Sequence, residues 1–118
     1  MNRQRVLIVD DEPNVVRALA RILRHEDAIL VGVDSAAKGL ARLETESFDL
    51  VISDLKMPDM DGVDFLTLVD EFHPGTRRVM ISGNAGVDAM REAVTCCAIE
   101  QFVEKPWNPD EIRALLRR

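Results

Sequence analysis

The stretch "DLVISDLKMPDMDG" (Asp49–Gly62) joins an apolar run to an acid and a stiff loop. Leu50, Val51, Ile52 and Ser53 follow one another with no alternation of apolar and polar residues. A continuous run of this kind suits a strand covered on both faces. The run ends on a carboxylate, Asp54. The chain then enters a loop stiffened by Pro58 and closed by Asp61 and Gly62. An acid at the end of a buried strand needs a reason, and the reason has to lie at that edge of the sheet.

The same kind of run recurs as "RVLIV" (5–9), "AILVGV" (28–33) and "RRVMIS" (77–82), and a fifth short apolar run is "QFVE" (101–104). Segments of helical period lie between them. Val15, Val16, Leu19, Ile22 and Leu23 form one apolar stripe, and Ala36, Leu40 and Leu43 a second. Leu66 and Val69 anchor a third, with Val63 and Phe65. Val87, Met90, Val94 and Cys97 step by threes and fours, and Ile112, Leu115 and Leu116 close the series. Helix starts are marked by Pro13 in a first turn, Ser35 as an N-cap, and Asn108 followed by Pro109, Asp110 and Glu111. The pattern is (βα)₅. It predicts a three-layer α/β sandwich around a central five-stranded parallel sheet, and right-handed crossovers leave it few strand orders.

A chain of 118 residues is the size of one domain. At this length about two-thirds of the unfolded surface is buried on folding, enough for a core without staples. With 47% hydrophobic and 31% charged residues, the balance is that of a soluble globular chain. No apolar run approaches the ~20 residues that span a bilayer, and no secretory signal is visible. The adjacent pair Cys96 and Cys97 lacks further ligands at metal spacing and reads as free thiols in a reducing cytoplasm. A net charge of −6 argues against direct contact with nucleic acid.

In a parallel sheet all strands end at one edge, and ligands of open α/β sheets bind there. The first run ends on Asp10, Asp11 and Glu12, the third on Asp54, the fourth on Ser82, Gly83 and Asn84, and the fifth on Glu104, Lys105 and Pro106. Carboxylates gathered in one pocket repel by about 4 kcal/mol per pair at 4 Å and an effective dielectric near 20. A cation among them relieves this, and an all-oxygen set suits Mg²⁺ or Mn²⁺. A lysine and a hydroxyl opposite can hold an anion's oxygens. Acids, metal, central aspartate, lysine and hydroxyl together describe phosphoryl transfer onto a carboxylate.

The motifs "VDDE", "DLKMPDMDG", "ISGN" and "EKPW", in this order and at these strand ends, resemble the receiver domains of two-component response regulators, which are flavodoxin-like phosphoacceptor modules. The resemblance covers residues 1–118. It implies that Asp54 accepts a phosphoryl group from a histidine kinase or phosphotransfer protein. It implies Asp11 as a direct Mg²⁺ ligand, Asp10 as a ligand through water, Asp54 itself, and the backbone carbonyl of Lys56. Ser82 would bond a phosphoryl oxygen, and Lys105 would pair with the phosphoryl group ahead of a cis bond to Pro106. Ser82 and Phe102 would form the switch, and Lys56 and Asn84 would tune the lifetime of the phosphate. The implied activity is not that of an enzyme but of a phosphoacceptor that catalyses its own phosphorylation and dephosphorylation. The output would pass through the face of the fourth helix, fifth strand and fifth helix to an output domain or effector. On that face Asp88, Arg91, Glu92, Arg113 and Arg117 mix signs, as a phosphorylation-linked homodimer would use. Because the chain stops as the fifth helix finishes, the expectation is a domain excised from a longer regulator, with a single-domain regulator as the alternative.

Two departures from the usual family pattern are mild. Ser82 stands where threonine is commoner and keeps the hydroxyl, whereas Phe102 stands where tyrosine is frequent and loses it. Other readings fit less well. A metal-dependent phosphatase working through an aspartyl phosphate would carry an acid two residues after its nucleophile, where this chain has Lys56. A flavin module would need a phosphate loop after the first strand, where "DDEPN" would repel one. A degenerate receiver acting only as a binding module would not need the complete set of acids, serine and lysine.

Overall fold

The computed structural model describes residues 3–83, 91, 95 and 99–117. The strands are β1 (Gln4–Val9), β2 (Ala28–Val33), β3 (Leu50–Asp54), β4 (Arg77–Ser82) and β5 (Gln101–Glu104). The α-helices among the described residues are α1 (Pro13–Leu23), α2 (Ala36–Thr45), α3 (Gly62–Phe72) and α4 (Pro109–Ala114). A 3₁₀ turn over Leu115–Arg117 continues α4, the fifth helix of the sequence pattern. The stripe of Val87, Met90, Val94 and Cys97 lies outside the described residues. No helix among the described residues is long and apolar enough to cross a membrane.

The five strands form one sheet in the order β2-β1-β3-β4-β5, with every neighbouring pair parallel. This is the flavodoxin-like order, and its direction of winding reverses between β1 and β3. Side chains alternate across the sheet as strand geometry requires. Leu7, Val9, Val51 and Met80 face a core built with Phe65, Leu66 and Val69 of α3 and Leu43 of α2. Val6, Ile8, Ile52 and Ile81 face a second core built with Leu19 and Leu23 of α1 and with Ile112, Leu115 and Leu116. The result is three layers, with β3 buried along its whole length.

One expectation needs correction. The run "AILVGV" reads as a strand covered on both faces, yet β2 is only half-buried and its Gly32 is exposed. β2 is an edge strand with β1 as its single neighbour, so part of its surface stays in solvent. The expected caps are present: the Ser35 hydroxyl accepts the amide of Lys38, and the Asn108 side chain accepts that of Asp110.

Candidate functional site

The acids at the end of β1 are placed by the backbone. The Asp10 amide donates to the carbonyl of Val33 (3.1 Å), extending the β1–β2 pairing by one residue. Its carboxyl Oδ1 accepts the amide of Glu12 (2.9 Å), which turns the chain toward α1. Asp10 is 1% exposed. Its Oδ2 has no hydrogen-bond donor and lies 3.6 Å from Lys105 Nζ. At the end of β3, Asp54 is buried, and its Oδ1 accepts the amide of Leu55 (2.9 Å). Lys105 Nζ also lies 3.6 Å from that Oδ1. The Lys105 side chain is held there because its amide donates to the Ser82 carbonyl (2.8 Å), one step beyond the Ser82–Glu104 register of β4 and β5.

One carboxylate oxygen each from Asp10, Asp11 and Asp54 come within 4.8 Å of one another. Burial pushes the Asp10 carboxyl above the ordinary carboxylate range, opposed by the Glu12 amide and reinforced by Asp54. Burial likewise raises Asp54, opposed by Lys105 and the Leu55 amide and reinforced by Asp11. In both groups loss of hydration outweighs the neighbouring lysine. A cleft of about 400 Å³ opens over this cluster, lined by Asp11, Glu12, Asp54, Lys56, Ser82, Gly83 and Lys105.

The loop from β3 to α3 forms one wall. Gly62 starts α3 against the backbone of β3. Its amide donates to the Leu55 carbonyl (2.6 Å), and a Cβ at this position would stand 2.2 Å from the carbonyl oxygen of Asp54. Asp61 caps α3 by accepting the amide of Asp64 (2.9 Å). Within the loop Met57 is buried in the core, and Lys56 is exposed at the mouth of the cleft.

The family profile described as response regulator receiver domain matches residues 6–117. The chain belongs to the response regulator receiver domain family. This receiver domain is 36% identical over 107 residues to a hydrogenase transcriptional regulatory protein, HoxA, of Bradyrhizobium diazoefficiens, a match spanning 91% of the chain and 22% of that protein. Among solved structures it resembles the signal receiver domain of an HD domain-containing protein from Pseudomonas fluorescens, with a TM-score of 0.94 at 28% identity, covering 98% of this chain and 93% of that one. It also resembles a beryllofluoride-activated NtrC4 receiver domain dimer, with a TM-score of 0.89 at 27% identity, covering 96% and 93% of the two chains. The chain spans about a quarter of the length of the curated relatives it matches.

In this receiver domain the expected residues largely converge. Asp10, Asp11, Asp54, Ser82 and Lys105 meet at one edge of the sheet, and the Lys105–Pro106 peptide is cis. Lys56 lines the cleft. Phe102 is half-buried and packs on the core shared by α2 and α3. Trp107 packs beside α4 on the opposite core. Asn84 lies outside the described residues. A residue that the sequence reading passes over is Asp59, whose carboxylate accepts the amides of Ala36 and Ala37 across the chain. The donor set fits a hard divalent cation. Its oxygens are all carboxylate, they lie close together, and the buried Asp10 Oδ2 is an acceptor without a donor. The phosphatase reading is not favoured, because the place of its second acid is taken by the cationic Lys56.

Proposed function

We propose that this receiver domain is a phosphorylation-dependent switch in the cytoplasm, in which Asp54 takes a phosphoryl group from a histidine kinase or phosphotransfer protein with Mg²⁺ bound. The observation that carries this is the meeting of Asp10, Asp11 and Asp54 within 4.8 Å, with Lys105 Nζ 3.6 Å from two of them. Asp11, Asp54 and the Lys56 carbonyl would hold Mg²⁺ directly, and Asp10 would hold it through water; Mn²⁺ would suit the same oxygens. Bound there, the cation would offset the charge of the acids and of the phosphoryl oxygens.

The remaining chemistry belongs to the chain. With Oδ1 of Asp54 engaged by the Leu55 amide, Oδ2 attacks the phosphorus of a phosphohistidine. The new O–P bond forms as the P–N bond breaks, and the imidazole nitrogen leaves with the bonding pair and takes up a proton. Lys105 and the Ser82 hydroxyl then hold phosphoryl oxygens. Hydrolysis returns Asp54 to its carboxylate, so the domain catalyses its own gain and loss of phosphate rather than turning over a substrate. Incubation of wild type with a small phosphodonor and Mg²⁺ tests this: intact mass rises by one phosphoryl group. No mass gain, or a gain that is unchanged when Mg²⁺ is chelated, overturns it.

A second expected result isolates the metal. Mg²⁺ raises the melting temperature of wild type, because it binds the folded cluster and not the unfolded chain. In Asp11→Ala that rise disappears in a thermal melt, and a full rise there removes Asp11 from the ligand set. Replacing Lys56 or Asn84 changes the decay rate of the aspartyl phosphate more than it changes stability. Chemical quench of the phosphoprotein reads this, and unchanged decay in both variants removes them as tuning residues.

For the output, Ser82 drawn toward the phosphoryl group leaves space beside β5. Phe102 carries no hydroxyl, so it turns inward without desolvating a polar group. The change passes through β5 and α4 to an output domain or partner, together with the expected fourth helix of the sequence pattern, whose apolar stripe lies outside the described residues. Supporting this, the curated relatives are transcriptional regulators of which the chain spans about a quarter. Two arginines of this face already pair within the chain, Arg113 2.8 Å from Asp110 and Arg117 3.7 Å from Glu26.

A further inference from the structure

The loop that carries Lys56 is fastened to a helix far away in sequence. Asp59 Oδ1 accepts the amide of Ala36 (3.2 Å) and Oδ2 that of Ala37 (2.9 Å). These are the first N–H groups of α2, which have no partner within the helix. The local cap, Ser35, serves a different one, the amide of Lys38 (3.1 Å). The start of α2 therefore has two caps, one local and one reaching back from the β3–α3 loop. The helix dipole and the two donors favour the anionic side chain. Accordingly the Ala37 amide, foremost among several backbone donors, holds the Asp59 carboxyl below its usual range.

The other end of the loop is also fixed. The Gly62 amide grips the Leu55 carbonyl (2.6 Å) and Asp61 caps α3. Only Lys56, Met57 and Pro58 separate Leu55 from Asp59. Met57 is anchored in the core, and Pro58 has its φ restricted by its ring. With both ends held, the Lys56 carbonyl has little freedom.

We propose that Asp59 is a positioning residue for the cation site, and that its clasp on α2 holds the β3–α3 loop so that the Lys56 carbonyl stands ready beside Asp11 and Asp54. The inference rests on reading the acid cluster as an Mg²⁺ site. It assigns Asp59 no contact with the ion. It also ties the start of α2 to the site, so that displacing one disturbs the other.

Mg²⁺ titration of the full chain, followed by amide chemical shifts, tests the clasp. In Asp59→Ala the Kd for Mg²⁺ weakens roughly tenfold, the lower end of what losing a group that orients metal ligands costs. Asp59→Asn keeps one acceptor oxygen and falls between the two. Ser35→Ala weakens the same helix start without touching the loop, and it binds Mg²⁺ as wild type does. Without Mg²⁺, the amides of Ala36 and Ala37 exchange faster in Asp59→Ala. An unchanged Kd in Asp59→Ala, or an equal loss in Ser35→Ala, overturns the clasp while leaving the cation site standing. Wild type that binds no Mg²⁺ overturns the site and the clasp together. Should Asp59→Ala fail to fold, a wild-type Kd in Asp59→Asn overturns the proposal.

Discussion

Asp54→Asn gains no phosphoryl mass from a small phosphodonor under conditions in which wild type gains one, and without Mg²⁺ it melts above wild type. The first result follows from chemistry, because a neutral amide has no carboxylate oxygen to attack phosphorus. The second follows from burial. Asp54 is 7% exposed and close to two other acids, so its charge is held at a cost that the neighbouring Lys105 does not cancel. Removing the charge ends the cost of its burial and the repulsion from the neighbouring acids, and so stabilises the metal-free fold. The pH dependence has a definite sign. The folded-state pKa of Asp54 is raised from 3.8, so the folded metal-free protein holds this proton more tightly than the unfolded chain does. The stability of wild type relative to Asp54→Asn therefore recovers as pH falls through the raised value, and the recovery is complete below 3.8. Intact mass together with melts from neutral to acid pH decide both points. Phosphorylation of the variant to the wild-type level removes Asp54 as acceptor, and a variant that melts below wild type at neutral pH removes the electrostatic account.

Gly62→Ala is the second large effect. A Cβ there would stand 2.2 Å from the Asp54 carbonyl oxygen and 2.9 Å from the Leu55 Cα, both backbone atoms that cannot turn aside. Either the start of α3 or the end of β3 must move. Overpacking of this kind costs about 1–3 kcal/mol, which lowers the melting temperature of a domain this size by roughly 4–12 °C. The displaced backbone is that of the acceptor residue itself, so the Mg²⁺-dependent rise in melting temperature also shrinks. Gly75→Ala is the control, since a Cβ there meets nothing within 4 Å. Equal melts for the two variants would show that the β3–α3 junction yields without cost.

Much of the fold was legible because parallel sheets write themselves locally. A strand buried on both faces must be continuously apolar, and "RVLIV", "DLVIS" and "RRVMIS" each match their observed strands to within one residue at either end. Caps are local too: Ser35 and Asn108 each bond an amide two or three residues ahead. The reading erred where a neighbour decides the outcome. "AILVGV" has the composition of a central strand and lies at the edge, because burial of β2 depends on how many strands flank it, and its own residues do not encode that number.

The string of residues alone set the alternation of strands and helices and the side chains that stand at strand ends. It therefore also determined that Asp10, Asp11, Asp54, Ser82 and Lys105 would share one edge, since a parallel sheet delivers every strand end to the same side. The packed fold set which strands adjoin, and how Lys105 comes to lie 3.6 Å from both Asp10 and Asp54. It alone revealed that Asp59 caps a helix whose first residue, Ala36, lies 23 positions earlier in the chain. The physical reason is the range of the forces. Periodicity, capping and turn chemistry act over a few residues and leave a pattern in the string. A hydrogen bond or ion pair between distant segments forms only after the core has packed, and it depends on through-space distances that no local pattern records.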